Sequence, residues 1–158
     1  LYLDARIIGL TRKIINTSKE RDDCRRLLKI PGVGPMIATA LVSVAGNGKQ
    51  FANARAFSSY LGLVPREHSS GGKQRLLGIS KCGNTYIRTL LVQGSLAVIR
   101  SAPHNPQGRA WLLALLERRG IQKTAVALAN KIARIAWSML AKEPEFTVPV
   151  CQAACSTA

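Results

Sequence analysis

Acidic side chains are few in this sequence for its size and for its basic content. Its 158 residues hold 8 Asp and Glu against 23 Lys and Arg, a formal charge of +15 and a pI near 10.6. Between Cys24 and Lys142 only Glu67 and Glu117 are acidic. A two-metal nuclease or polymerase centre needs several converging carboxylates, so this chain cannot build one alone. Histidine is scarcer still: His68 and His104 are the only two, and no G-x-S-x-G elbow occurs, so a Ser-His-Asp triad is not expected. The four cysteines, Cys24, Cys82, Cys151 and Cys155, form no C-x-x-C pair and have no histidine at zinc-ligand spacing. They read as reduced cytosolic thiols, and no metal or other cofactor is expected within the chain. No apolar run approaches the roughly 20 residues that span a bilayer, so a soluble chain with no membrane partner is expected. The chain begins without Met, in what looks like the middle of a helix, and reads as a piece of a longer protein.

What is present is enough to fold. A hydrophobic content of 47% sets the chain apart from a disordered basic tail. Its length suits one domain with an appendage, burying roughly two-thirds of the unfolded surface. Cationic excess in such a domain points to a polyanion, nucleic acid ahead of an acidic membrane surface.

The stretch Leu27 to Ala38, with Ile30-Pro31-Gly32-Val33-Gly34-Pro35 at its centre, organises the rest. Gly32 and Gly34 allow a tight turn, and Pro35 suits the first turn of a new helix, where a missing N–H costs nothing. The free N–H groups of that helix start, with its dipole, can receive a phosphate. Gly32, Val33 and Gly34 are therefore candidate backbone-binding positions of a helix-hairpin-helix-like motif. An ordinary αα-hairpin with a glycine turn reads equally well from this pattern.

Upstream, Leu3, Ile7, Leu10, Ile14 and Thr17 recur at spacings of four and three, the seam of a coiled coil. Residues 2 to about 22 are expected to form one helix, either seeking a partner or packed on its own domain. Downstream, Gly46-Asn47-Gly48 stops the hairpin's second helix, and Phe51 to Leu61 is expected to be a short helix closed by Gly62. Asn84 can cap a helix with Ile87, Leu90, Leu91, Gly94, Ala97 and Val98 inward. Asn105-Pro106 is expected to open another helix that ends at Gly120. A last helix, about 122–142, carries Ala125, Ala129, Ile132, Ala136 and Met139 or Leu140 as its buried stripe. The expected class is mainly α: residues 1–24 the end of a coiled-coil-like helix, 25–142 the main domain, 143–158 a flexible tail.

Residues 62–84 break the pattern, with Gly, Ser and cations and little helical period. Loops this long in compact domains are functional or disordered. Leu76, Leu77 and Ile79 point to a tethered loop, an irregular hairpin. Ser69 and Ser70 precede Gly71-Gly72, with Arg66, His68, Lys73, Arg75 and Lys81 around them and Arg88 on the next helix. A hydroxyl on a glycine turn ringed by cations can approach a phosphodiester, and the cations can stabilise a developing pentacovalent anion. To act as nucleophile it still needs an activating base. From the residues alone, contact with phosphates and no chemistry is the favoured reading.

Several of these motifs occur in fixed order: Ile-Pro-Gly-Val-Gly-Pro, Phe57 to Pro65, Ser-Ser-Gly-Gly-Lys, and Gly78-Ile79-Ser80-Lys81 followed by Gly83-Asn84, Arg88 and Leu91. Together they resemble the C-terminal transposase domain of the "IS one-ten" family of bacterial insertion sequences. The resemblance implies DNA transposition with a serine nucleophile, matched by Ser70 as the serine directly before glycine, with Ser69 as runner-up. It also implies a separate N-terminal RuvC-like domain whose acidic residues bind Mg2+, a structured bridge RNA as partner beside DNA, and a bacterial, nucleoid-associated location. The seam at Leu3 to Ile14 then resembles the tail of the family's dimerisation segment, implying a homo-oligomer. Lacking the acidic domain, the chain alone is expected to be inactive. The competing class is a non-catalytic helix-hairpin-helix module that only binds nucleic acid.

Overall fold

A computed structural model describes residues 2–69, 76–104 and 110–142. The chain is mainly helical, in the order α1 (Tyr2–Glu20), α2 (Asp22–Leu27), α3 (Pro35–Ala45), α4 (Ala54–Tyr60), β1 (Pro65–Glu67), β2 (Leu76–Ile79), α5 (Thr85–Ser101) and α6 (Ala110–Lys142). The main core gathers α2 to α5 and the second half of α6 around Phe57, Leu27, Leu41, Leu61, Leu63, Ile87 and Leu91. Each large apolar side chain so buried contributes roughly 1.5–3 kcal/mol over leaving it in water. Cys24 lies in this core, where burial pushes its thiol up from the ordinary range and keeps it neutral.

The first helix carries the whole seam and ends at Glu20, close to the expected end near residue 22. Arg21 is extended (φ −84°, ψ 125°), and Asp22 and Asp23 open α2, where carboxylates favour the helix start. They pair with Arg25 and with Arg26 (2.7 Å), and Arg26 also donates to the Met139 carbonyl at 3.2 Å, fastening α2 to α6. Leu3, Ile7 and Leu10 stay 72%, 60% and 53% exposed, and Ile14 is half-buried. The seam thus has no cover within the described chain, while α1's far end rests on α2 and α3.

The short helix expected from Phe51 begins only at Ala54. Asn53 is extended and accepts the Ala56 N–H at 2.9 Å, so a side-chain cap sets the start. Phe51 instead packs its ring 5.0 Å from Phe57 and 5.2 Å from Tyr60. Asn84 caps α5 as its position implies, accepting the Ile87 N–H at 3.1 Å. Asn84→Ala is expected to cost about 1 kcal/mol, read from the midpoint of a urea melt. The inward face of α5 is rotated from the expected one. Ala97 is exposed, and Ser95 and Ile99 are buried with Ile87, Leu91, Gly94 and Val98. Ser95 tolerates burial because its hydroxyl donates to the Leu91 carbonyl at 2.8 Å.

The long helix α6 is two helices broken at Gly120, whose φ of 74° no α-helix contains. Lys131 Nζ lies 4.5 Å from the centroid of the Trp111 ring. In a straight helix twenty residues would separate those positions by about 30 Å, so the halves fold back on each other. Gly120 ends the first half, and the expected stripe, Ala125, Ala129, Ile132, Ala136, Met139 and Leu140, is buried. The expected helix start at Asn105-Pro106 and the tail at 143–158 lie outside the described residues.

Candidate nucleic-acid interface and serine loop

The site begins where α4 ends. Leu61 and Leu63 are buried and root the chain in the core, while Gly62 between them takes φ +70°. From there β1 runs outward and β2 returns antiparallel, Pro65 opposite Ile79 and Glu67 opposite Leu76, with one more residue on β2 between those pairs. This is the irregular hairpin expected from Leu76, Leu77 and Ile79. Below it the strands close into a neck: Ser80 N–H donates to the Val64 carbonyl at 2.8 Å and Lys81 N–H to the Gly62 carbonyl at 3.2 Å. A β-carbon on Gly62 would lie 2.1 Å from the Cys82 carbonyl oxygen, and one on Gly83 1.8 Å from that of Tyr60. Backbone meets backbone here at a separation only glycine permits.

Of the candidate loop residues, Arg66, His68, Ser69 and Lys81 are described, and all four are exposed. Lys81 holds the left-handed conformation (φ +57°) at the turn that feeds the neck. Ser69 Oγ donates to Glu67 Oε1 at 2.6 Å, so the loop's one carboxylate faces a serine hydroxyl. Ser70, Lys73 and Arg75 lie outside the described residues. Arg88 is half-buried and turned onto its own chain. Its Nη1 donates to the Leu61 carbonyl at 3.0 Å and to that of Cys82 at 3.5 Å, and its Nη2 to Thr85 Oγ1 at 3.0 Å. On the other side Asn130 of α6 donates to the Leu63 carbonyl at 2.9 Å. Nothing singled out Asn130 in the sequence; its one signal is a polar side chain beside the apolar Ala129, Ile132 and Ala133.

The hairpin between α2 and α3 divides its three candidates. Gly32 (φ +85°) faces inward, where a β-carbon would meet Val98 Cγ2 at 2.7 Å and the Gly94 carbonyl oxygen at 2.8 Å. Val33 is buried in the core. Gly34 has φ −95° and nothing within 4 Å of its would-be β-carbon, and no side chain caps the helix start it precedes. The first intrahelical bond is the Ala38 N–H to the Gly34 carbonyl at 2.9 Å, which leaves the N–H groups before it for an outside acceptor.

The charge balance around these elements has one sign. Asp22 and Asp23 neutralise only their arginine neighbours, and between residues 24 and 142 eighteen Lys and Arg meet two carboxylates. Among the described residues no three His, Cys, Asp or Glu side chains converge to hold a metal ion, so the donor set does not fit a Mg2+ centre. Also among them, no helix is long and apolar enough to cross a membrane.

A model of the Transposase IS116/IS110/IS902 family matches residues 24–111, which contain the hairpin, the neck and all of α5. The chain belongs to that family. It is 49% identical over 144 residues to a probable family 20 transposase of Pseudomonas aeruginosa, covering 89% of this chain and 42% of that protein. It is 45% identical over 130 residues to the transposase for insertion sequence element IS1111A of Coxiella burnetii (82% and 36%). With the transposase for insertion sequence element IS1328 of Yersinia enterocolitica it shares 39% over 137 residues (86% and 41%). The chain thus spans about two-fifths of the length of these transposases, and the matched family segment carries the candidates from Gly32 to Arg88, while Asn130 lies beyond it.

Proposed function

We propose that this segment acts within a full-length DNA transposase, binding nucleic-acid backbones and supplying the serine that attacks a DNA strand. The observation that supports this best is the neck: a glycine-packed root, anchored by buried Leu61 and Leu63, that carries exposed Lys81 and projects a hairpin with exposed Arg66, His68 and Ser69. A loop that merely touched phosphates would not need so rigid a root. In the proposed step Ser70 Oγ gives up its proton and bonds to phosphorus. The bond to one deoxyribose oxygen breaks, and that oxygen takes up a proton. The exposed cations stabilise the charge that develops on the phosphoryl oxygens. Mg2+ would be held by an acidic N-terminal domain of the full-length transposase, since the carboxylates among the described residues of this segment do not fit it. The start of α3 beside Gly34 is the second backbone contact.

Two finer points complete the reading. A structured bridge RNA would carry sequence choice, leaving this domain's cations to hold backbones. The apolar stripe Leu3, Ile7 and Leu10 would pair with a second copy, and burial of those side chains is what that pairing gains.

The deciding experiment incubates the full-length transposase with a nicked suicide DNA substrate. A covalent adduct is expected, with mass spectrometry placing the phosphodiester on Ser70. Binding without an adduct would leave a helix-hairpin-helix module whose affinity falls with salt by a logarithmic slope of about one per phosphate contact.

A further inference from the structure

Arg88 looks from the sequence like one more cation for nucleic acid, but its guanidinium is already committed. It bridges the two strands of the neck, donating at 3.0 Å to the Leu61 carbonyl on one and at 3.5 Å to the Cys82 carbonyl on the other, and it is braced at 3.0 Å by Thr85 of its own helix. Asn130 reaches the same neck from α6 through the Leu63 carbonyl at 2.9 Å. We propose that Arg88 and Asn130 are positioning residues that clamp the root of the serine loop from two helices, rather than ligands of the nucleic acid. This rests on the reading of residues 62–84 as the nucleophile-bearing loop.

Three features make the clamp specific. A guanidinium is a rigid fork, and here one arm, Nη1, serves both neck carbonyls while the other, Nη2, is fixed on Thr85, whereas a lysine ammonium is a point charge on a flexible stem. The packing leaves no slack, since a β-carbon on Gly62 would sit 2.9 Å from Arg88 Nη1 and 2.1 Å from the Cys82 oxygen. The strands above the neck are short and β1 is exposed along its length, so the hairpin's direction is set at the root, and a small tilt there is magnified along it. Nucleophilic attack tolerates little such error: a misplacement of about 1 Å costs on the order of a hundredfold in rate.

The test uses the full-length transposase with single-turnover cleavage at saturating DNA, plus affinity measured across a salt series. Arg88→Gln and Asn130→Ala are each expected to slow cleavage by about ten- to a hundredfold, with affinity within about twofold and the salt slope unchanged. Arg88→Lys, which keeps the charge without the fork, is expected to remain slow. Arg66→Gln serves as the contrast, lowering the slope by about one. A lost folded fraction would lower the amplitude of the single turnover, not its rate constant. Should Arg88→Gln fail to fold, Asn130→Ala decides, because it alters no charge. Wild-type rates in the folded variants, or a slope reduced by about one in Arg88→Gln, would overturn the clamp. Ser70→Ala in the same assay separates the two ideas. Normal cleavage by that variant refutes the nucleophile, whereas a silent Ser70→Ala beside normal Arg88→Gln and Asn130→Ala refutes the clamp alone.

Discussion

Replacing Ser70 by alanine in the full-length transposase is expected to abolish strand exchange, by at least about a thousandfold, while DNA affinity stays within about twofold. The asymmetry follows from what the hydroxyl does in each state. In binding it offers at most one neutral hydrogen bond, worth about 1 kcal/mol, beside exposed cations whose attraction to phosphate is independent of it. In the proposed reaction it supplies the atom that bonds to phosphorus, a part no neutral hydrogen bond could take over. Ser69 is the natural challenger. Its hydroxyl is engaged with Glu67 at 2.6 Å, so it has a proton acceptor but also a partner that holds it aside. Ser69→Ala is expected to slow exchange by no more than about tenfold, the scale of one lost positioning bond. The reverse pattern, Ser69→Ala inactive and Ser70→Ala active, would move the nucleophile by one residue. It would also make Glu67 the base. The measurement is a single-turnover rate for each variant with gel-shift affinities at fixed salt.

The elements with strong local signals were legible without coordinates. Asn84 stops and caps, Gly120 breaks, and the stripe from Ala125 to Leu140 repeats at the helical period, so these features follow from neighbours in the chain. Leu76, Leu77 and Ile79 likewise gave away a strand within the loop. What was not legible depends on partners distant in sequence. Arg88 reads as a surface cation until α5 is seen to bring it against Leu61, 27 residues upstream. Asn130 reads as a polar residue on a helix until Leu63, 67 residues away, shows a carbonyl in need of a donor. Phe51 fits the helical spacing although α4 starts only at Ala54, because period alone does not reveal that Asn53 accepts the Ala56 N–H. On α5 the helical period picks out Gly94, which meets the Gly32 carbonyl, but hydrophobicity alone does not reveal that Ser95 turns inward while Ala97 faces out.

That contact supports the largest expected loss of stability. An alanine at an interior helical position ordinarily gains about 1 kcal/mol over glycine. At Gly94 the new β-carbon would fall 2.2 Å from the Gly32 carbonyl oxygen and 2.9 Å from Ile37 Cδ1. The side chain of Ile37 can shift, but a backbone oxygen in a tight turn cannot move without displacing the hairpin. Gly94→Ala is therefore expected to destabilise the domain by about 2–4 kcal/mol, helix propensity notwithstanding, as read from urea unfolding. Gly32→Ala should do no less, since it adds strain at φ +85° to contacts of 2.7 Å and 2.8 Å. Gly34 is the control. With φ −95° and open space around its would-be β-carbon, alanine there is expected to change stability by less than about 1 kcal/mol. If the start of α3 receives a phosphate, the same methyl group stands in the approach and weakens nucleic-acid binding in a protein that is still folded. The glycines of one short motif would then divide by task, Gly32 holding the hairpin to α5 and Gly34 leaving room for the strand. A Gly94→Ala protein as stable as the parent would contradict the backbone contact on which that division depends.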